Sequence, residues 1–330
     1  MTTLIVKVPV LIHQWHPVLL SNELNEQPKA IEILGEKVVV FRTSQGVYAF
    51  KDLCIHRGVP LSLGKVVNDE IICPYHGWTY NSCGTCTRIP ALPAGKAIPT
   101  KAKTITYYCT EELGFIWVCL GEPEMSKPKI GELTSDCSQN NQVKMGPYEL
   151  EAAGPRVIEN FLDVSHLMFV HEGLLGDSQF PEISDYHVYQ KDGVLISDEI
   201  DIYQPDPDGR GHDVQAKYTY KVFNPLCAGF RKSIDDSEEF FDLYLIVLPV
   251  NEKKSKAYMI MERNYALEED ENIFIQFQDL LIEQDRVIVE NQKPELLPLD
   301  LQAELHLKSD RVSIAYRKFL MEVGLTFGTE

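Results

Sequence analysis

Along residues 30–120 the apolar positions fall in short β-rich runs, at 37–42, 47–50, 70–73, 104–109 and 114–120, with turn-forming residues between them. Helical periodicity is nearly absent there. The stretch 121–146 is less apolar, carries Pro123 and Pro128, and reads as a linker. Beyond it the two periodicities mix. A helix is expected over 158–170, strands over 186–203, 212–223, 239–249 and 256–265, and a helix over 272–292. In that last helix Ile273, Phe274, Phe277, Leu280, Leu281 and Ile288 recur at three- and four-residue spacing, and Pro294 ends it. The pattern is α+β: a small all-β domain at 1–125, a linker at 126–147 and a mixed domain at 148–330.

Length and composition add limits. A chain of 330 residues with 44% hydrophobic content can bury a core, in one domain or two. The early apolar run 4–12 is broken by Lys7 and Pro9. It is too short to span a bilayer, lacks a signal-peptide layout, and reads as a strand of a cytoplasmic protein with no membrane partner. The formal net charge of −18 argues against a nucleic-acid partner. Acids are spread along the chain, with short clusters at Asp235, Asp236, Glu238, Glu239 and at 268–271. They serve solubility in the first place and docking of a basic protein in the second. With no secretory signal, the eight cysteines point to metal ligation before disulfides.

The strongest chemical signal is Cys54-Ile-His56, sixteen further residues, then Cys73-Pro-Tyr-His76. Each clip offers one thiolate and one imidazole. A Rieske [2Fe-2S] cluster needs that inventory, two cysteines on one iron and two histidines on the other. Neutral imidazoles lower the negative charge at their iron and raise the potential. Zinc also accepts two cysteines and two histidines, but its fingers pair like with like, whereas the types alternate here. Gly58 and Gly77 follow the histidines, as close backbone approach to sulfur requires, and Trp78 is placed to pack beside the cluster. Cys83 and Cys86 form a separate Cys-x-x-Cys in a hairpin-like segment and read as ordinary thiols.

A second constellation is Asn160-Phe-Leu-Asp163-Val-Ser-His166-Leu-Met-Phe-Val-His171. Two histidines and a carboxylate make the facial triad of non-haem iron(II), whose opposite face stays open. On a helix Asp163 and His166 share a face. His166 and His171 lie about 140° apart and converge only if the helix ends or distorts between them. Gly173 is placed to end it. The third ligand must come from elsewhere: Asp285 on the late helix, with Asp279, Glu283 and Glu290 as rivals.

Cys54-Ile-His56-Arg57-Gly58 and Cys73-Pro-Tyr-His76-Gly77-Trp78 resemble the Rieske domain of ring-hydroxylating and demethylating oxygenases. Val59 and Tyr75 stand where electron-transport Rieske proteins carry a disulfide clamp, which fits the oxygenase type. The resemblance covers nearly the whole chain. It implies an antiparallel sheet wrapped on a long helix (a helix-grip domain), and it favours Asp285 as third ligand. Chains of this length resemble the vanillate, dicamba and caffeine demethylases, which are homotrimers. The segments 163–177 and 309–317 look closer to the cyanobacterial Rieske hydroxylases of saxitoxin biosynthesis.

What the resemblance implies is an oxygenase component with a Rieske cluster and mononuclear Fe(II), fed by a separate reductase or ferredoxin. It would use dioxygen to hydroxylate a C–H bond of a small molecule, of which a saxitoxin-like guanidinium alkaloid is one. Oxidative N- or O-demethylation is the alternative, and a bare Rieske electron carrier, a ligand-binding module and a cis-dihydroxylating dioxygenase are further ones. In a head-to-tail ring His76 of one subunit approaches His166 of the next. Asp163 bridges them as an electron relay, and Asn160 lies near the iron. Tyr203, Tyr220, Phe223, Phe230, Phe240 and Met259 are candidate cavity walls, and Asp242 or Glu262 could meet a guanidinium.

Overall fold

A computed structural model describes residues 10–133, 141–234 and 238–330. The start of the 4–12 run, part of the 126–147 segment, and Asp235 and Asp236 lie outside the described residues. What is described of the early run is a 3-10 turn, Leu11–His13, rather than a strand. The chain divides into two compact units, Met1–Pro128 and Lys129–Glu330.

The first unit is all β. Strands β1 (His16–Leu20), β2 (Lys29–Ile33), β3 (Glu36–Thr43) and β4 (Gly46–Lys51) are followed by the short strands β5 (Lys65–Val67), β6 (Glu70–Ile72), β7 (Thr79–Tyr80) and β8 (Cys86–Arg88). Then come β9 (Thr106–Glu112) and β10 (Phe115–Cys119). Six strands pair in the order β1-β10-β9-β4-β3-β2, and β5-β6-β7-β8 form a second, four-stranded meander. Between the sheets Val39, Phe41, Phe50, Leu61, Ile71 and Tyr80 pack with the thiols of Cys54, Cys73 and Cys86. The strands anticipated at 37–42, 47–50, 70–73, 104–109 and 114–120 are β3, β4, β6, β9 and β10.

The second unit begins with β11 (Asn141–Leu150), which starts inside the segment read as linker. Helices α1 (Gly154–Leu162) and α2 (Leu167–Val170) follow, then β12 (Val188–Lys191), β13 (Val194–Ser197), β14 (Ile200–Gln204), β15 (Val214–Asn224), β16 (Cys227–Ile234), β17 (Phe240–Asn251) and β18 (Lys254–Arg263). Helices α3 (Glu271–Val289) and α4 (Arg311–Glu322) end the chain. The sheet is antiparallel, ordered β11-β18-β17-β16-β15-β13-β12, with β14 also on β15. The fold is α+β.

Two further expectations change, and one helix was not anticipated. The helix over 158–170 is two helices, because Asp163 is extended (φ −81°, ψ 107°) and its carboxylate accepts the Ser165 N–H at 2.8 Å, a local turn that competes with the helix. The strand over 186–203 is three short strands with a Gly193 turn at φ +83°. Helix α4 was not anticipated, although Val312, Tyr316 and Leu320 repeat every four residues along its buried face. Among the described residues no helix is long and apolar enough to cross a membrane.

Candidate metal centres and substrate cavity

The two cluster loops are built alike. Cys54 N–H donates to the Val59 carbonyl (2.8 Å) and Gly58 N–H to the Cys54 carbonyl (2.9 Å). Cys73 N–H donates to Trp78 (2.8 Å) and Gly77 N–H to Cys73 (3.1 Å). Each loop closes through a left-handed glycine, Gly58 at φ +73° and Gly77 at φ +69°. The turn itself requires glycine at both positions, and at Gly77 a side chain would also meet Pro90 at 3.0 Å. Both cysteines are buried, while His56 is half-buried and His76 exposed. The His56 and His76 rings lie 4.6 Å apart, and Trp78 stacks on His56 at 4.6 Å and 9°. Tyr80 is hydrogen-bonded to Cys54 Sγ at 3.2 Å. The buried Nδ1 of His56 has no partner among the described residues, as a ring nitrogen awaiting a metal would. Cys86 is buried in this core and Cys83 is exposed; both are free thiols.

In the second unit His166 caps the start of α2 and His171 its end, so a single turn of helix turns both rings to one point. Asp285, on α3, meets them there. His166 Nε2, His171 Nε2 and Asp285 Oδ1 form a triangle with sides of 3.3, 3.4 and 3.2 Å. Its centre is about 1.9 Å from each corner, just inside the ~2.0–2.2 Å bonds that nitrogen and carboxylate ligands make to a divalent transition metal. The chemistry of the donors agrees. Gln284 presents Oε1 to His171 Nδ1 at 2.7 Å, so Nδ1 carries the proton and Nε2 offers a lone pair. Burial pulls His166 toward the neutral form, but Asp285 and Asp163 outweigh it and raise its pKa. Burial likewise raises Asp285, and His166 and His171 outweigh that, holding it at about 2. The corner attracts a cation.

The rivals to Asp285 are engaged elsewhere. Asp279 accepts from the Tyr148 hydroxyl at 2.6 Å, Glu283 pairs with Arg286 at 2.8 Å, and Glu290 accepts the Glu151 N–H at 3.0 Å. Asp163 does not share a helix face with His166, because the helix has ended. Asn160 lines the cavity beside the triad.

That cavity encloses about 890 Å³, open solvent at its mouth included, between the sheet and α3. Sheet pairing puts Tyr218, Tyr220, Phe230, Phe241, Leu243, Leu245, Met259 and Met261 on one face, and α3 closes it with Phe274, Phe277, Leu281 and Val289. Of the anticipated wall residues Tyr220, Phe230 and Met259 line it. Tyr203, Phe223 and Phe240 do not, Phe223 and Phe240 being one residue out of the strand alternation. For the same reason Asp242 and Glu262, paired across β17 and β18, face the other side, where Asp242 holds Arg231 at 2.6 and 2.8 Å. No guanidinium contact at this cavity comes from either. Lys232, Gln278 and Asp208 line it and were not anticipated.

Residues 14–106 match the Rieske [2Fe-2S] domain, and residues 150–324 match the vanillate O-demethylase oxygenase C-terminal domain. The chain belongs to the Rieske non-haem iron oxygenases. Methylxanthine N1-demethylase NdmA of Pseudomonas putida is 31% identical over 326 residues, covering 95% of this chain and 89% of that protein. The solved structure of Pseudomonas putida CBB5 NdmA with caffeine superposes with a TM-score of 0.80 at 30% identity, covering 94% of this chain and 90% of that one. Dicamba monooxygenase bound to dicamba, at 20% identity and a TM-score of 0.78 over 95% and 97% of the chains, shares the fold. The cofactors of such an oxygenase are a [2Fe-2S] Rieske cluster and a mononuclear non-haem iron, and its family works with a separate reductase or ferredoxin on small molecules.

Proposed function

We propose that this oxygenase oxidises a methyl C–H bond of a flat, largely apolar substrate and releases the methyl carbon as formaldehyde. The carrying observation is the triad at the edge of an aromatic-walled cavity, in a chain similar over nearly its whole length to two methylxanthine N-demethylases and whose second unit matches an O-demethylase domain. Cys54, Cys73, His56 and His76 would hold the cluster, and His166, His171 and Asp285 the iron. When bound, these groups supply electrons and activate dioxygen. The protein residues do the rest. Gln284 fixes the His171 tautomer. The stacked pair Phe161 and Phe230, 5.3 Å apart, suits a planar ring, and the apolar walls keep water from the reacting carbon. Hydroxylation of a carbon bearing nitrogen or oxygen gives a hemiaminal or hemiacetal, which falls apart to formaldehyde. Hydroxylation elsewhere keeps the carbon.

The test is turnover of N-methyl and O-methyl aromatic compounds with a reductase, dioxygen and NADH. Formaldehyde equal to the demethylated product is expected. A hydroxylated product that keeps its methyl group would move the reading to plain hydroxylation.

The working unit in this reading is a head-to-tail homotrimer in which His76 of one subunit serves His166 of the next. Two unlike apolar surfaces support it, as a heterologous ring requires. One is the cluster rim of Leu53, Ile55, Leu63 and Tyr75, and the other is the outer stripe of α3 with Ile273, Leu280, Val287 and Ile288. Asp163, half-buried beside His166, is the relay, and Asn160 stands near the iron. Asp163→Ala should stop turnover with iron and sulfide content unchanged; an active variant would remove the relay role.

A further inference from the structure

The inward face of the sheet is apolar or aromatic along β15, β16 and β17 apart from one position. In β16 the side chains of Ala228 and Phe230 point inward, and the next in phase is Lys232. It faces Phe241 across β17 and Tyr218 across β15. Lys232 is 2% exposed and lines the cavity. A buried ammonium is costly unless its charge and its three N–H donors are met. Its Nζ donates to the Pro207 carbonyl at 2.8 Å and sits 4.6 Å from the centre of the Phe241 ring. Neither partner carries charge.

The carboxylate of Asp208, which acts on Lys232 electrostatically, is already committed. Asp208 accepts from Arg210 Nε at 2.9 Å and Nη2 at 2.7 Å, and from the Tyr265 hydroxyl at 3.2 Å. Asp208 and Arg210 pair with each other, and Asp206, which also acts on Lys232, accepts the Gly211 N–H at 2.8 Å and does not line the cavity, so neither acid is hydrogen-bonded to Nζ. Gln278, 7% exposed, lines the same cavity from α3 and brings amide donors to it.

We propose that Lys232 is a specificity-determining residue that binds the carboxylate of an aromatic or heteroaromatic acid, with Gln278 assisting. This deepens the proposed function and rests on its reading of the cavity as the substrate site. The ring lies among Phe161, Tyr218 and Phe230, and the carboxylate supplies Nζ with the directly bonded anionic partner that Pro207 and Phe241 do not. Burial lowers Lys232 to about 8, which keeps it protonated at neutral pH.

The experiment is calorimetric titration of the holoprotein, without dioxygen or reductant, at pH 7. The probes are 4-methoxybenzoate and its neutral analogue 4-methoxybenzamide. Native protein should bind the acid about ten- to a hundredfold more tightly, the range of one buried charge-assisted hydrogen bond. Lys232→Met should erase that preference and leave amide binding within about threefold. A preference that survives in Lys232→Met, equal binding of the two probes by native protein, or binding of neither overturns the proposal. If the variant fails to fold, the native acid-to-amide ratio decides alone. Binding is read without turnover, so a failure here leaves the demethylation reading standing, and absence of formaldehyde leaves this one standing.

Discussion

Asp285 sits in the apolar stripe of α3, one turn from Leu281, Ile282 and Val289, where a carboxylate is expensive without a cation. Asp285→Ala should therefore take the mononuclear iron and leave the cluster. Purified without air, about three irons and two sulfides per chain should become about two and two. Unchanged iron would pass the ligand role to another acid. The phase of the helix carried this information in the sequence: among Asp279, Glu283, Asp285 and Glu290, only Asp285 lines the cavity together with Phe274, Gln278 and Leu281. The same wheel misled elsewhere, because Ile273, Leu280 and Ile288 are apolar yet lie on the outer stripe. The four residues proposed to hold the cluster were singled out from spacing alone, since two short loops, 54–59 and 73–78, carry them. Lys232 was not legible, because a lysine in a strand shows its face only once the register is known. Tyr80 was likewise invisible, being remote from Cys54 in sequence. Its hydrogen bond favours the more negative, reduced cluster. At about 1 kcal/mol, Tyr80→Phe should lower the potential by about 40 mV. Redox titration of the native and variant clusters checks it, and an unchanged potential would mean the hydroxyl does not act on the sulfur.

Elements were read well where their period was sustained and poorly where a side chain interrupted it. The strands β15, β17 and β18 and the helix α3 were anticipated within a few residues. The α1–α2 break was not, because the Asp163–Ser165 turn outweighs the apolar pattern that runs on through Leu167 and Met168. Helix α4 is amphipathic, but its buried face also holds a charge, Arg317. That arginine reaches Glu159 on α1 with Nη2 at 2.8 Å and also pairs with Glu304, which Arg156 of α1 approaches at 3.2 Å. Arg156 and Arg317 are each 2% exposed. Burial pushes the Glu159 carboxyl up even beside Arg317 and Arg156, so the network is held by completeness of pairing and not by favourable burial. Removing one partner should cost about 3–5 kcal/mol. Arg317→Met should therefore lower the urea midpoint of the second unit, while the visible spectrum of the cluster in the first persists. A midpoint equal to native would show that the network adds nothing to stability.

At the scale of the molecule the net charge of −18 argued against a nucleic-acid partner, ranked docking of a basic protein second to solubility, and carried nothing on the assembly. The two unlike apolar patches carry a prediction about assembly that neither a residue nor an element could. Consider a variant without the cluster, His76→Ala, and one without the iron, Asp285→Ala. Each alone should be inactive. Co-expressed with different tags and purified through both, every trimer holds both kinds of chain, two of one and one of the other. In a directed ring of three such chains, one interface of three joins a competent cluster to a competent iron, whichever way the ring runs. The hybrid should turn over at about a third of the native rate per trimer. A head-to-tail pair would give about half, since one interface of two is productive. No activity in the hybrid would mean that electrons pass within one chain, and the apolar rim at Leu63 and Tyr75 would then belong to the donor protein instead of the next subunit.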